Sequence, residues 1–402
     1  MYTYMEILDN TMVSIIILCY RHFNFIFDAI SSVLCQNYES IELIISDDGS
    51  SDFPQEAISN YILQNKKTNI KHFFINHENQ NCGTVKHLNK AIKMANGQYI
   101  IALAGDDRLY NKTVVQQYID GFKKADDNVY IEMAQTAMYD RNLTELLSYY
   151  LKPSVKSAIQ KEQNEYELFN LLAYSPCLPS TSTCFKRTFF EKFGLFDEQY
   201  VLIEDWPMHL RLAREGWKIH YENFIAIKHR DGGISHGGIG AFSKTKFQYF
   251  CDLLKIRENE IRPHLDLLND DVKQAVEKQH KREKLWIESQ FYKFTGEKKY
   301  LISFIFSHPF YVCKKGLIFM HHHLYSPSRK LLAISLFLMI VTPMAASIFD
   351  YLGLFGTIIN TKTMYTLALC AFIISLILLT LCLLGKVIEK IGDFPSSCLY
   401  IG

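Results

Sequence analysis

The first 110 residues alternate two kinds of segment, and that alternation narrows the possible folds more than any other feature. Short apolar runs at Val13–Leu18, Glu42–Ser46, Ile70–Ile75 and Tyr99–Leu103 read as strands. Between them, Phe25–Gln36, Glu56–Gln64 and Thr84–Met94 have helical spacing, the last stopped at Asn96-Gly97. A β-α-β-α-β-α-β order implies a parallel sheet with helices on its faces. Ligands on such sheets bind at the carboxyl ends of the strands. Three of these strands end in polar clusters, "CYRH", "SDDGSSD" and "AGDDR". The clusters are expected to converge at one edge of the sheet.

The sharpest case is "YIIALAGDDRLY", Tyr99 to Tyr110, where a buried strand ends in Gly105 and two adjacent carboxylates. Such a pair is often only a polar turn. It also suits a divalent cation carrying a phosphate, because hard cations take carboxylate oxygens.

Beyond residue 110 the signals thin out. Asn111–Glu167 is mixed, and Ser175–Thr183 reads as a loop. A helix is expected after Asp205, with Pro207 in its first turn and Gly216 at its end. "IKHRDGGISHGGIG" reads as a Gly-rich loop, and Lys244–Lys299 as charged and helical. Tyr300–Leu324 is amphipathic and aromatic and suits a bilayer surface. Its triplet His321, His322 and His323 cannot face one ion from a helix.

Lys+Arg is 43 and Asp+Glu is 42, a net charge of +1, which argues against a nucleic-acid partner. Ten cysteines occur without a C-x-x-C pair, so free thiols in a reducing compartment are expected. "MVSIIILCY" follows Glu6 and Asp9 and reads as a strand, not as a secretory signal. Leu331–Phe349 and Met364–Leu384 are apolar, uncharged and each about 20 residues, long enough to cross a bilayer. Arg329, Lys330, Lys386 and Lys390 flank their outer ends. The expectation is a multi-pass cell-membrane hairpin with the preceding domain on the cytoplasmic face. The expected divisions are 1–243 for the sheet domain, 244–328 for a helical, partly interfacial region, and 329–402 for the hairpin and a short tail.

Five segments in order carry a family resemblance: "VSIIILCYRH", "SVLCQNYESIELIISDDGSSD", "NCGTVKHLNKAIKMANGQYIIALAGDDR", "STSTCFKRTFFEKFGLFDE" and "EDWPMHLRLAREGWKI". Together they resemble family 2 glycosyltransferases of the GT-A fold, over roughly Val13 to Ser235. The resemblance implies an α/β, Rossmann-like, mainly parallel sheet with flanking helices; the helical region and the two expected C-terminal transmembrane helices follow outside the match. It also implies inverting, metal-dependent sugar transfer from a nucleotide sugar, a UDP-sugar first and a dTDP-sugar next. The acceptor implied is a lipid-linked saccharide of bacterial surface-polysaccharide synthesis, with membrane lipid as a further partner.

Residue by residue, the resemblance implies the following. Asp48 accepts from the base imide, Tyr20 and the Cys19 backbone flank the base, and Lys86 reaches the phosphates. One of Asp106 and Asp107 contacts the ribose and the other holds Mn²⁺ or Mg²⁺, with Asp107 the preferred ligand and Asp106 shared. Asp205 is the catalytic base, Glu204 orients the site and Trp206 stacks on a sugar. His229, Arg230, Asp231 and Ser235 belong to a loop closing over the pyrophosphate, with His229, and also His236, as metal ligands. Ala104 stands where many relatives carry the first Asp of Asp-x-Asp-Asp, which bears on metal affinity and choice.

Three alternatives stay open. A nucleotidyltransferase would carry a Gly-rich basic loop after the first strand, where this chain has "CYRHFNF". A non-catalytic relative is motivated by Ala104. Direct transfer to a polyprenyl phosphate is compatible with the same motifs.

Overall fold

The early apolar runs form strands because both of their faces are covered. β1 (Val13–Cys19), β2 (Ile41–Asp47), β3 (Ile70–His77) and β4 (Tyr99–Ala104) pair in parallel in the order β3-β2-β1-β4. They are joined by α1 (Ile26–Leu34), α2 (Gln55–Asn65) and α3 (Thr84–Met94). Val13, Ile15 and Ile17 pack into one core with Ile26, Ile30 and Val33 of α1, whereas Ile16 packs into the other with Val85 and Leu88 of α3. Side chains of a strand alternate between faces, so a doubly covered strand is apolar throughout. Each isoleucine so buried contributes on the order of 1.5–3 kcal/mol.

The computed structural model describes residues 12–21, 23–160, 166–217, 219–232, 243–296 and 298–308, with five single positions between 369 and 379. After β4 the chain forms β5 (Arg108–Leu109), α4 (Val114–Lys124), β6 (Ile131–Tyr139), β7 (Leu146–Tyr149), α5 (Pro153–Gln160) and α6 (Glu167–Tyr174). Then come β8 (Thr183–Lys186), α7 (Arg187–Phe193), α8 (Asp205–Arg214) and β9 (His220–Arg230). The sheet order is β3-β2-β1-β4-β8-β6-β9-β5, with β7 on β6. β8 runs antiparallel to β4 and β6, whereas β6 and β9 are parallel to each other. The expected parallel sheet is therefore only the first half of a mixed one.

The second half positions the end of β9. Arg108 of β5 pairs with Lys228 of β9, so the strand finishes beside the Asp106-Asp107 turn. This corrects the loop reading of Ile227–Arg230, which are the last residues of β9. Residues 233–242, with Ser235 and His236, lie outside the described residues.

The chain divides into two compact units, residues 1–287 and 288–402. In the first, α9 (Lys244–Ile256) leads through a π-helical turn and a 3-10 turn into α10 (Asp270–Thr295), whose last residues, from Glu288, belong to the second. In the second, α11 (Lys298–Ser307) follows, and His308 Nε2 lies 2.8 Å from Glu288 Oε2.

The membrane expectation is corrected. Among the described residues no helix is long and apolar enough to cross a membrane. α10 is long but densely charged, and α11 has only 10 residues, about 15 Å of helix. The segment 331–349 and most of 364–384 lie outside the described residues.

Candidate active site

The carboxyl ends of β1, β2 and β4 lie side by side, because Leu18 is in register with Ala104 and Cys19 with Asp47. A cleft of about 760 Å³ opens above them. Cys19, Tyr20, Arg21 and Asp48 line one end, and Glu204, Asp205, Met208 and His209 line the other. Segments 156 residues apart in sequence thus share one cavity, measured from Asp48 to Glu204.

Asp47 and Asp48 divide their work. Asp47 is wholly buried and accepts from Ser50 N and Ser50 Oγ, both at 2.7 Å, and its Oδ2 lies 2.9 Å from His77 Nδ1. It holds the turn. Asp48 is 3% exposed. Its Oδ1 accepts from Cys82 N at 2.9 Å and Cys82 Sγ at 3.2 Å. Its Oδ2 accepts from Asn81 Nδ2 at 2.8 Å and Gly83 N at 3.0 Å. A carboxylate has about four lone-pair sites, and these donors fill them. Asp48 is therefore built into the wall, tying loop 81–83 and the start of α3 to the end of β2. Its own N–H donates to Cys19 O at 3.0 Å.

Gly49 shows how closely this loop approaches. It has φ +77°, and a Cβ there would lie 2.5 Å from the Gln80 carbonyl carbon. Gly49→Ala is expected to cost about 1–3 kcal/mol in urea unfolding, since backbone must move to admit the methyl. Arg21, at φ +55°, is a non-glycine residue in left-handed backbone at the cleft rim, held by Arg21 N donating to Ser50 Oγ at 2.8 Å.

Other predicted residues are placed differently. Lys86 is exposed on α3 and is not among the cleft-lining residues; the cationic side chains that line it are Arg21 and Lys244. Trp206 is 0% exposed, donates from Nε1 to Leu172 O at 2.8 Å and has the Arg257 guanidinium over its ring. No face of it is open to a sugar.

The carboxylate pair of β4 lies just past Ala104, the last cleft-lining residue of that strand. Asp107 is 0% exposed; its Oδ2 lies 2.9 Å from His229 Nδ1, and its Oδ1 accepts from Arg230 N at 3.1 Å. Arg230 is itself consumed. Its guanidinium donates to Asp106 O at 2.7 Å and Arg141 O at 2.8 Å, pairs with Asp28 and stacks over Phe25. A pyrophosphate would have to break that buried set, so Arg230 is a structural clamp in this arrangement. Burial lowers the affinity of His229 for a proton, but its hydrogen bond to Asp107 and the Asp107 charge outweigh this and raise its pKa. Asp106 is half-buried, and burial and the Asp107 charge raise its pKa. Asp106 offers the carboxylate oxygens that a hard divalent cation takes, with Asp107 behind it, whereas His229 is turned to Asp107 and is a less suitable ligand.

Glu204 and Asp205 form the opposite pole. Asp205 is the first residue of α8, and its Oδ1 accepts from Trp206 N at 2.7 Å. Burial lifts the Asp205 carboxyl to about 6. Burial and then the Asp205 charge lift Glu204 to about 8. One proton is thus shared between the two near neutrality. His209, one turn on, lines the same cleft, is 1% exposed and is pushed down to about 3 by burial, so it is a neutral imidazole. Sequence reasoning missed it, although residues i and i+4 share a helix face. His87, whose Nε2 lies 2.8 Å from Ser46 Oγ, is a second buried cleft histidine that went unnoticed.

Residues 14–192 match the profile of the family described as Glycosyl transferase family 2. That match covers less than half of the chain. An uncharacterized glycosyltransferase of Rickettsia typhi is 30% identical over 221 residues, 55% of this chain and 64% of that one. A GalNAc(5)-diNAcBac-PP-undecaprenol beta-1,3-glucosyltransferase of Campylobacter jejuni is 31% identical over 107 residues, 26% of this chain and 33% of that one. The chain thus spans less than two thirds of the length of these curated relatives. Among solved structures, residues 1–349 of S. aureus TarS with UDP-GlcNAc align at 15% identity and a TM-score of 0.46, over 68% of this chain and 72% of that one.

Proposed function

We propose that this chain is an inverting glycosyltransferase that moves a sugar from a nucleotide sugar, a UDP-sugar first, to a lipid-linked saccharide. The observation that carries this reading is the single cleft lined by the Asp48 turn at one end and the Glu204–Asp205 pair at the other. The nucleotide occupies the β1–β2 end, near Tyr20 and Arg21. Asp205 takes the proton from the acceptor hydroxyl as its oxygen attacks the anomeric carbon. Glu204, which holds its proton more tightly, keeps the pair at one negative charge. Mn²⁺ or Mg²⁺ held by Asp106 would supply charge stabilisation to the departing diphosphate. The C. jejuni relative, named for a PP-undecaprenol saccharide, supports the choice of acceptor.

The first test is calorimetric titration with UDP and with dTDP, in Mn²⁺, Mg²⁺ and EDTA, repeated on Asp106→Ala. Expected is metal-dependent binding that the variant loses; equal binding in all conditions would remove the metal from the reading. Transfer of labelled sugar is then compared on lipid-linked saccharide and on polyprenyl phosphate. Label in the polyprenyl phosphate alone would reassign the acceptor.

The base predicts a pH dependence. Its raised pKa means the ionised form is lost as pH falls through about 6, whereas an ordinary aspartate would stay ionised to about pH 4. In a pH–rate profile, kcat/KM should fall about tenfold per pH unit below that point. A flat profile down to pH 5 would exclude Asp205 as the base.

A further inference from the structure

At the other end of β9 lies a second cluster that the transfer site does not use. Glu132 of β6 is in register with His220 of β9 on one side and Cys184 of β8 on the other, so all three face the same side of the sheet. Glu222 follows two residues after His220 on that side. His220 Nδ1 lies 3.0 Å from both Glu132 oxygens. One ligand atom each from Glu132, His220 and Glu222 lies within 4.8 Å of the others.

The surroundings are built around this group. Glu132 is 0% exposed and sits beside a second carboxylate. Lys124, whose Nζ is 3.9 Å from Glu222 and whose side chain is 71% exposed, is a weak counter-charge, and Lys186 is a second cation acting on Glu132. α4 closes the site through Gly121: a Cβ there would lie 2.3 Å from Glu132 Oε1. Three residues earlier on the same helix face, Tyr118 is 1% exposed, and its Oη has no hydrogen-bond partner among the described residues. A buried, unpartnered hydroxyl on the helix that covers Glu132 is a group that a ligated water would satisfy.

We propose that Glu132, His220 and Glu222 bind a divalent cation of the zinc class, fastening the start of β9 to β6. One imidazole and two carboxylates suit such a borderline ion, and three protein ligands leave a position for water. His220 and Glu222, 35% and 27% exposed, give the ion a way in and can close by the ångström that ligation needs. The site is remote from the carboxylate turn: His220 and His229 stand at opposite ends of one strand, about 30 Å apart at 3.3 Å per residue.

The test is titration of the EDTA-stripped full chain with Co²⁺, read by visible absorption, and displacement by Zn²⁺. Expected is one equivalent bound in the parent and in Asp106→Asn, and lost in His220→Asn and Glu222→Gln. Binding unchanged in the last two variants, or lost only in Asp106→Asn, overturns the proposal. Circular dichroism checks that the variants fold. Should they not, the parent decides alone: Zn²⁺ must raise its thermal midpoint over EDTA by several degrees, and no rise overturns the proposal. Because Asp106→Asn separates the two ends of β9, failure here leaves the transfer reading standing.

Discussion

Asp205→Asn is expected to lower kcat by about 10²- to 10⁴-fold, the range for removal of a general base, while the KM for the donor changes little. The amide keeps the shape and can still accept from Trp206 N, so α8 begins where it did. What is lost is the group that takes the acceptor proton. Glu204 cannot replace it: its carboxyl is half-buried and holds its proton up to about pH 8. Single-turnover assays with saturating donor measure this directly. A loss below tenfold would move the base elsewhere in the cleft.

Asp48→Ala is expected to have the largest effect on stability, about 3–5 kcal/mol in urea unfolding, together with loss of nucleotide binding. The substitution strands the N–H groups of Cys82 and Gly83, both of which donate to that carboxylate. A buried donor left unsatisfied costs about 1–3 kcal/mol, more when its partner was charged. Nucleotide binding fails because loop 81–83 forms one wall of the cleft. Asp48→Asn separates the two roles, since its amide oxygen still accepts. Retained stability with retained UDP affinity in that variant would rule out any direct contact of the carboxylate with the base.

Much of the first half of the fold was legible because Ile15–Ile17 and Leu43–Ile45 are buried on both faces and leave an unbroken apolar run. β6 and β9 were not. β6 buries Glu132, Gln135 and Thr136, each with its own partner: His220, the Leu151 backbone and Ser182. A buried polar residue that is satisfied in three dimensions looks like a surface residue in one. His229 and Arg230 were assigned to a loop for the same reason, since the glycines that follow mask the strand's end. Trp206 is a different error. It lies one residue from Asp205, and a helix turns about 100° per residue, so the two point to different sides. Met208 and His209, three and four residues on, are the neighbours that share the cleft. The Glu132–His220–Glu222 group had no linear signature, as its members lie on two strands far apart in sequence.

The Arg230 guanidinium reaches Asp28 of α1, Phe25 before it, the Asp106 carbonyl and the Arg141 carbonyl. Asp28 and Phe25 belong to the part of the chain that builds the parallel strands, whereas Arg230 ends a strand of the mixed half. The domain is therefore not divisible. Severed between α4 and β6, neither fragment could bury its share without leaving a charge or a carbonyl stranded. Two such fragments, produced separately, should remain unfolded alone and regain structure only on mixing.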